Sequence, residues 1–93
     1  MKRISVKDYK SNMGKLIDVQ NPTSFLEQHH PNSINIYYDT LLLHHKELLN
    51  KNDKYYIICR KGHKSKKAVS ILEYYGYDVI QVYYEWKKLK FVL

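Results

Sequence analysis

Short runs of β-branched and aromatic residues alternate along this chain with stretches in which apolar side chains recur every three or four positions. That alternation is the mark of βα units around a mainly parallel sheet. Ile4-Ser5-Val6 reads as a first strand, and the capping-box spacing Ser5-x-x-Asp8 predicts a short helix toward Met13, ended by Gly14. Leu16-Ile17-Asp18-Val19 reads as the second strand. A helix then begins at Pro22 and runs to Gln28, with Asn21 as its N-cap and proline in its first turn.

Pro31-Asn32-Ser33 breaks the chain before an alternating strand, Ile34-Asn35-Ile36-Tyr37-Tyr38. From Asp39 or Thr40 the positions Leu41, Leu42, His45, Leu48 and Leu49 repeat at helical spacing, and Asn50-Lys51-Asn52-Asp53 closes that helix. Lys54-Tyr55-Tyr56-Ile57-Ile58-Cys59 is apolar without interruption after its lysine, as a central strand covered on both faces should be. Ser65 to Tyr75 carries Ala68, Val69, Ile71, Leu72 and Tyr75 on one helical face and is stopped by Gly76. Tyr77 to Tyr83 is a last strand, and Trp86 to Leu93 a basic amphipathic tail, helical at first and docked on the body. The sum is an α/β protein with a central, mainly parallel five-stranded sheet flanked by helices, in one domain spanning residues 1–93.

Composition narrows the class. A chain of 93 residues buries only about 60% of its unfolded surface, so one compact core must suffice, and ten tyrosines supply much of its area. The single cysteine rules out an internal disulfide and points to a reducing compartment. No apolar run approaches the ~20 residues of a membrane helix, and Met1 to Asp8 leads into nothing like a signal peptide, so a cytoplasmic protein with no membrane partner is expected. The net charge of 16 − 9 = +7 admits nucleic acid, acidic partners or small anions. No RNA-binding motif accompanies it, so nucleic acid is not the expected partner.

The candidate chemistry lies at Cys59-Arg60-Lys61-Gly62-His63-Lys64-Ser65, between the central strand and a helix. Open α/β sheets bind their ligands at the carboxyl ends of such strands. A loop curled round the sulfur would aim successive backbone N–H groups, and those of the helix start, into one cup that favours an anion. Such a cup lowers a thiol's pKa, so Cys59 is expected to be a nucleophilic thiolate near neutral pH. Arg60, Lys61, Lys64, Lys66 and Lys67 place five permanent cations within nine residues, His63 can add charge, and no carboxylate intrudes from 59 to 72. Gly62 supplies the position without a Cβ that a tight cup needs. A lone cysteine ending a strand is more often an inert core residue, and it is this glycine and this clustered charge that argue for reactivity.

These residues resemble the rhodanese-like domains over nearly the whole chain. Cys59, Gly62, Lys64 and Ser65 match the family's Cys-x-x-Gly-x-Arg-Ser loop, with Lys64 in place of arginine. Leu16-Ile17-Asp18-Val19-Gln20 is similar to its Leu-Ile-Asp-Val-Arg segment, and Phe25-x-x-x-His29-x-Pro31-x-x-Ile34-Asn35-Ile36 to its Phe-x-x-Gly-His-Ile-Pro-Gly-Ala-x-Asn-Ile segment. The resemblance implies a rhodanese-like fold and sulfurtransferase chemistry without metal or organic cofactor. Cys59 would take a sulfane sulfur from a small anionic donor such as thiosulfate and pass it, as a persulfide, to a thiol or protein acceptor. It also implies an anchoring role for Asp18 beside the site and a structural one for His29.

The chain departs from the pattern at Gln20, Gln28 and Asn32, and by lacking a Gly-Gly pair before Trp86. Lys64 keeps the charge of the usual arginine and loses its planar fork. Three alternatives stay open. One is a non-catalytic binding or regulatory module on the same fold. Cysteine phosphatases use Cys-x5-Arg, but the sixth residue after Cys59 is Ser65. Arsenate reduction by a cysteine relay needs a second thiol, which this chain lacks. The pairs His29-His30 and His44-His45 have no cysteine or carboxylate at metal-ligand spacing and read as surface imidazoles.

Overall fold

A computed structural model describes residues 1–85, so the predicted tail Trp86 to Leu93 lies outside the described residues. Five strands, β1 (Lys2–Ser5), β2 (Lys15–Asp18), β3 (Ser33–Asn35), β4 (Lys54–Ile58) and β5 (Asp78–Tyr83), form one sheet in the order β1-β5-β4-β2-β3. Every pairing is parallel. The helices are α1 (Pro22–Glu27), α2 (Tyr38–Leu43), α3 (His45–Leu48) and α4 (His63–Tyr74). This is the α/β sheet that the alternating pattern predicts.

β4 sits between β5 and β2 and is buried from Tyr55 to Ile58, as its unbroken apolar run requires. Its alternating side chains feed two cores. Tyr55, Ile57 and Cys59 join Ile17, Val19, Leu41, Ala68, Val69, Leu72 and Val79 under the helices on one face. Tyr56 and Ile58 join Tyr9, Leu16, Ile80 and Val82 on the other.

The element boundaries differ from expectation where tertiary contacts override local pattern. β1 runs from Lys2 to Ser5, because Ser5 turns the chain by accepting the Lys7 N–H on its Oγ. The capping serine is therefore real, but it opens a three-residue 3-10 turn, with a second at Ser11–Met13, rather than one helix to Met13. Gly14 then passes so close to β4 that a Cβ would lie 2.7 Å from the Lys54 carbonyl oxygen. Asn21 does cap α1, its Oδ1 accepting from the Ser24 N–H at 2.9 Å.

The third strand ends at Asn35, and Tyr38 starts a helix rather than finishing a strand, with its N–H bonded to the Val19 carbonyl. The helix expected from 39 or 40 to 49 is broken at His44, whose N–H closes α2 on Thr40 while its carbonyl receives Glu47 and Leu48. The break turns Leu41 and Leu49 into the core and leaves Leu48 exposed. On α4 the core face is Ala68, Val69 and Leu72, and Ile71 and Tyr75 face out, contrary to the helical-face reading. α4 also begins two residues earlier than predicted, at His63, because Gly62 serves as its N-cap.

Candidate active site

Cys59 follows the last residue of β4 at the carboxyl edge of the sheet, and the chain then doubles back into α4 within three residues. Gly62 makes that reversal with φ 90°, a left-handed conformation that side chains with a Cβ rarely adopt. The consequence is a cup built on the sulfur. The Gly62 N–H and the Ser65 N–H each donate to Cys59 Sγ at 3.2 Å. Both belong to the four amides at the start of α4 that have no partner inside the helix, and these two are directed at one sulfur atom.

Ser65 adds its side chain. The Cys59 thiol donates to Ser65 Oγ at 3.3 Å, and Ser65 Oγ donates to the Gly62 carbonyl at 3.2 Å. Behind this pair stands Gln81 of β5. Its Nε2 donates to the Gly62 carbonyl and to Ser65 Oγ, both at 3.0 Å, while its Oε1 accepts from Arg3 Nε at 3.0 Å.

The thiol forms part of the wall of a cavity of about 240 Å³ lined by Gln20, Asn21, Ser24, Cys59, Arg60, Lys61, His63 and Lys64. Cations from the loop thus gather where an anionic ligand would approach the sulfur. Lys64 reaches over the start of α2, its Nζ 5.4 Å from the Tyr37 ring centre and 5.1 Å from that of Tyr38. A second cavity of about 220 Å³, on the other side of the loop, is lined by Arg3, Arg60, Lys61, Gly62, His63, Lys66, Gln81, Tyr83 and Tyr84. Of the seven loop residues 59 to 65, Gly62 and Ser65 contact the sulfur, and Arg60, Lys61, His63 and Lys64 line the cavity it opens on.

Asp18 ends β2 next to this loop and is buried. Burial raises its carboxyl above the ordinary value, and the bonds from the Gln20 N–H and Gln20 Nε2, both 2.9 Å, oppose that rise. Asn35 Nδ2 ties the same turn by donating to the carbonyls of Asp18 and Gln20. Gln20, where the resemblance expects arginine, so becomes the partner of Asp18. His29 bonds through Nδ1 to the Phe25 carbonyl and stacks on the Phe25 ring, contacts internal to the α1 region.

Three residues near the site were not legible in the sequence. Gln81 is 2% exposed in a strand of valines and isoleucines, and its odd polarity was the one signal available. Arg3 gave none, being one basic residue among sixteen. Tyr84 follows β5 and lines the second cavity; burial first, and the nearby Asp18 charge second, raise its hydroxyl pKa.

Comparison with known proteins agrees with this geometry. The family model for the rhodanese-like domain matches residues 5–88. Among solved structures, SSP1007 from Staphylococcus saprophyticus is 25% identical with a TM-score of 0.79, covering 89% of this chain and 87% of that one. A rhodanese-like domain protein from Staphylococcus aureus is 29% identical with a TM-score of 0.75, covering 89% and 85%. A rhodanese from E. coli, solved with anions, is 28% identical with a TM-score of 0.63, covering 73% and 81%. A comparison with curated proteins finds no match. By family model, sheet order and sulfur loop together, the chain belongs to the rhodanese-like domain family.

Proposed function

We propose that this domain is a sulfurtransferase in which Cys59 carries the sulfur. The observation that supports it most is the pair of backbone N–H groups, Gly62 and Ser65, each 3.2 Å from Cys59 Sγ. Fixed dipoles of this kind stabilise negative charge on sulfur without having to reorganise during the reaction. An inert core thiol has no need of them.

In the first half-reaction the Cys59 thiolate attacks the outer sulfur of a donor such as thiosulfate. A bond forms between Sγ and that sulfur, the bond to the sulfonate sulfur breaks, and sulfite departs with the electron pair. The cations of Arg60, Lys61 and Lys64 around the cavity favour entry of the dianion. In the second half-reaction a thiophilic nucleophile, such as a thiolate or cyanide, attacks the terminal sulfur of the persulfide, and Sγ leaves as the thiolate that began the cycle. The chemistry calls for a reducing compartment, where a single thiol stays free.

Thiocyanate production from thiosulfate and cyanide tests this reading. The intact protein is expected to form thiocyanate and the Cys59→Ser variant to form none. Equal rates for the two, or no turnover by either, would remove the sulfurtransferase and leave a binding module on the same fold.

A further inference from the structure

Gln81 is a buried polar side chain that the sulfur-transfer steps do not use. Placing an amide inside an apolar sheet is unfavourable unless each of its polar atoms is bonded. All of them are, and every bond leads toward the sulfur loop or to Arg3. The orientation is determined at both ends. Arg3 Nε can only donate, so it faces Oε1, and the Gly62 carbonyl can only accept, so it faces Nε2. Arg3 is itself seated over Tyr83, its guanidinium carbon 4.5 Å from the ring centre.

The hydrogens in this cluster can be counted. Ser65 has one hydroxyl hydrogen and two acceptors within reach, the Gly62 carbonyl at 3.2 Å and Cys59 Sγ at 3.3 Å. While sulfur is protonated, the thiol donates to Oγ and the hydroxyl donates to the carbonyl. Once ionised, sulfur keeps the two backbone N–H donors of Gly62 and Ser65 and can accept a third hydrogen bond, which the hydroxyl supplies only by turning away from the carbonyl. Without Gln81 that turn would leave the Gly62 carbonyl with one donor, the Lys66 N–H at 3.1 Å. With Gln81, one Nε2 hydrogen stays on the carbonyl beside the Lys66 N–H and the other on the Ser65 lone pair, so both carbonyl lone pairs remain bonded when the hydroxyl hydrogen goes to sulfur.

We propose that Gln81, oriented by Arg3, is a positioning residue that turns the Ser65 hydroxyl onto the Cys59 thiolate. The proposal rests on the reading that the thiolate is the working form of Cys59. It adds that its stability is set partly from β5, across the sheet edge.

The test is the pH dependence of Cys59 alkylation by iodoacetamide in the folded, full-length protein, a reaction that needs no sulfur donor. Gln81→Met keeps length and removes both polar atoms. Its alkylation midpoint is expected to rise by about one pH unit, a roughly tenfold smaller thiolate fraction below the midpoint. Ser65→Ala should give a similar rise. Adding Gln81→Met to Ser65→Ala should then produce no further rise, because Gln81 acts through the hydroxyl. Arg3→Met, at the exposed sheet edge, should raise the midpoint less, and again only while Ser65 is present; this variant decides the matter if Gln81→Met does not fold. An unchanged midpoint in the single variants, or shifts that add fully in the Ser65→Ala background, would overturn the proposal. Absence of thiocyanate formation in the unaltered protein would refute the proposed activity and leave this alkylation result standing by itself.

Discussion

Cys59 and Ser65 are joined twice, by the Ser65 N–H on Sγ at 3.2 Å and by the thiol on Ser65 Oγ at 3.3 Å. One residue directly follows the central strand and the other lies in the first turn of α4, so the geometry of the sulfur is set by how a buried strand meets a helix. Strand and helix are both fixed by the core, through Ile57, Ala68, Val69 and Leu72. The cup therefore inherits the rigidity of the fold rather than the mobility of a surface loop.

The left-handed turn at Gly62 leads to a first prediction. In Gly62→Ala the added Cβ meets nothing nearer than Gln81 Nε2 at 3.6 Å, so space is available and the penalty is conformational. It should cost about 1–2 kcal/mol of stability. Relaxation of that strain would swing the Gly62 N–H off Sγ, so thiocyanate formation should fall more than tenfold while the protein remains folded. Urea unfolding alongside the turnover assay separates the two effects.

Gly14 makes a contrasting case. An alanine there places Cβ 2.7 Å from the Lys54 carbonyl oxygen and 3.0 Å from Tyr56 Cε1, against backbone that cannot move without opening the β2–β4 pairing. Gly14→Ala should lower stability by about 1–3 kcal/mol, as overpacking does. It precedes β2 at the amino end of the parallel sheet, opposite the carboxyl edge that carries Cys59, and should leave the Cys59 alkylation profile of the folded protein unchanged.

Lys64 offers a charge without a fork. Lys64→Ala should raise the KM for thiosulfate several-fold, and the difference should shrink as salt screens the field. Lys64→Arg should lower KM below that of the unaltered protein, because two parallel N–H groups hold an oxyanion better than one ammonium. Steady-state kinetics at low and high ionic strength read both.

Asp18 carries a pH signature. Burial raises its carboxyl in the folded state above its unfolded value, so the native protein binds the proton more tightly. Its contribution to stability is then fully present below the unfolded value and is lost as pH rises through the raised folded value. Asp18→Asn lacks this titration. The stability difference between the unaltered protein and the variant should therefore move in favour of the unaltered protein as pH falls from 7 toward 4. Denaturant midpoints at several pH values measure it.

What the sequence made legible was local or strongly periodic. The unbroken run ending at Cys59 identified the central strand, and glycine, cations and serine within six residues of the sulfur identified the loop, because those groups meet through nearby chain. Gln81 meets Gly62 and Ser65 across 19 and 16 residues, and Arg3 meets Gln81 across 78, so no local spacing could announce them. The break at His44 was hidden for a related reason. Leu41, His45 and Leu49 keep the spacing of one continuous helix, and nothing in that spacing marks His44 as the residue whose N–H closes one helix on Thr40 and whose carbonyl opens the next. β3, at the sheet edge, stops at Asn35 because the chain beyond it bonds to the Asp18–Val19 turn.

The most direct measurement is the intact mass of the protein after incubation with thiosulfate and removal of excess reagent. A gain of about 32 Da, one sulfur atom, is expected on Cys59. Cyanide should remove it, and Cys59→Ser should never acquire it. A folded protein whose mass stays unchanged under thiosulfate would contradict a cysteine that accepts sulfur in this cup.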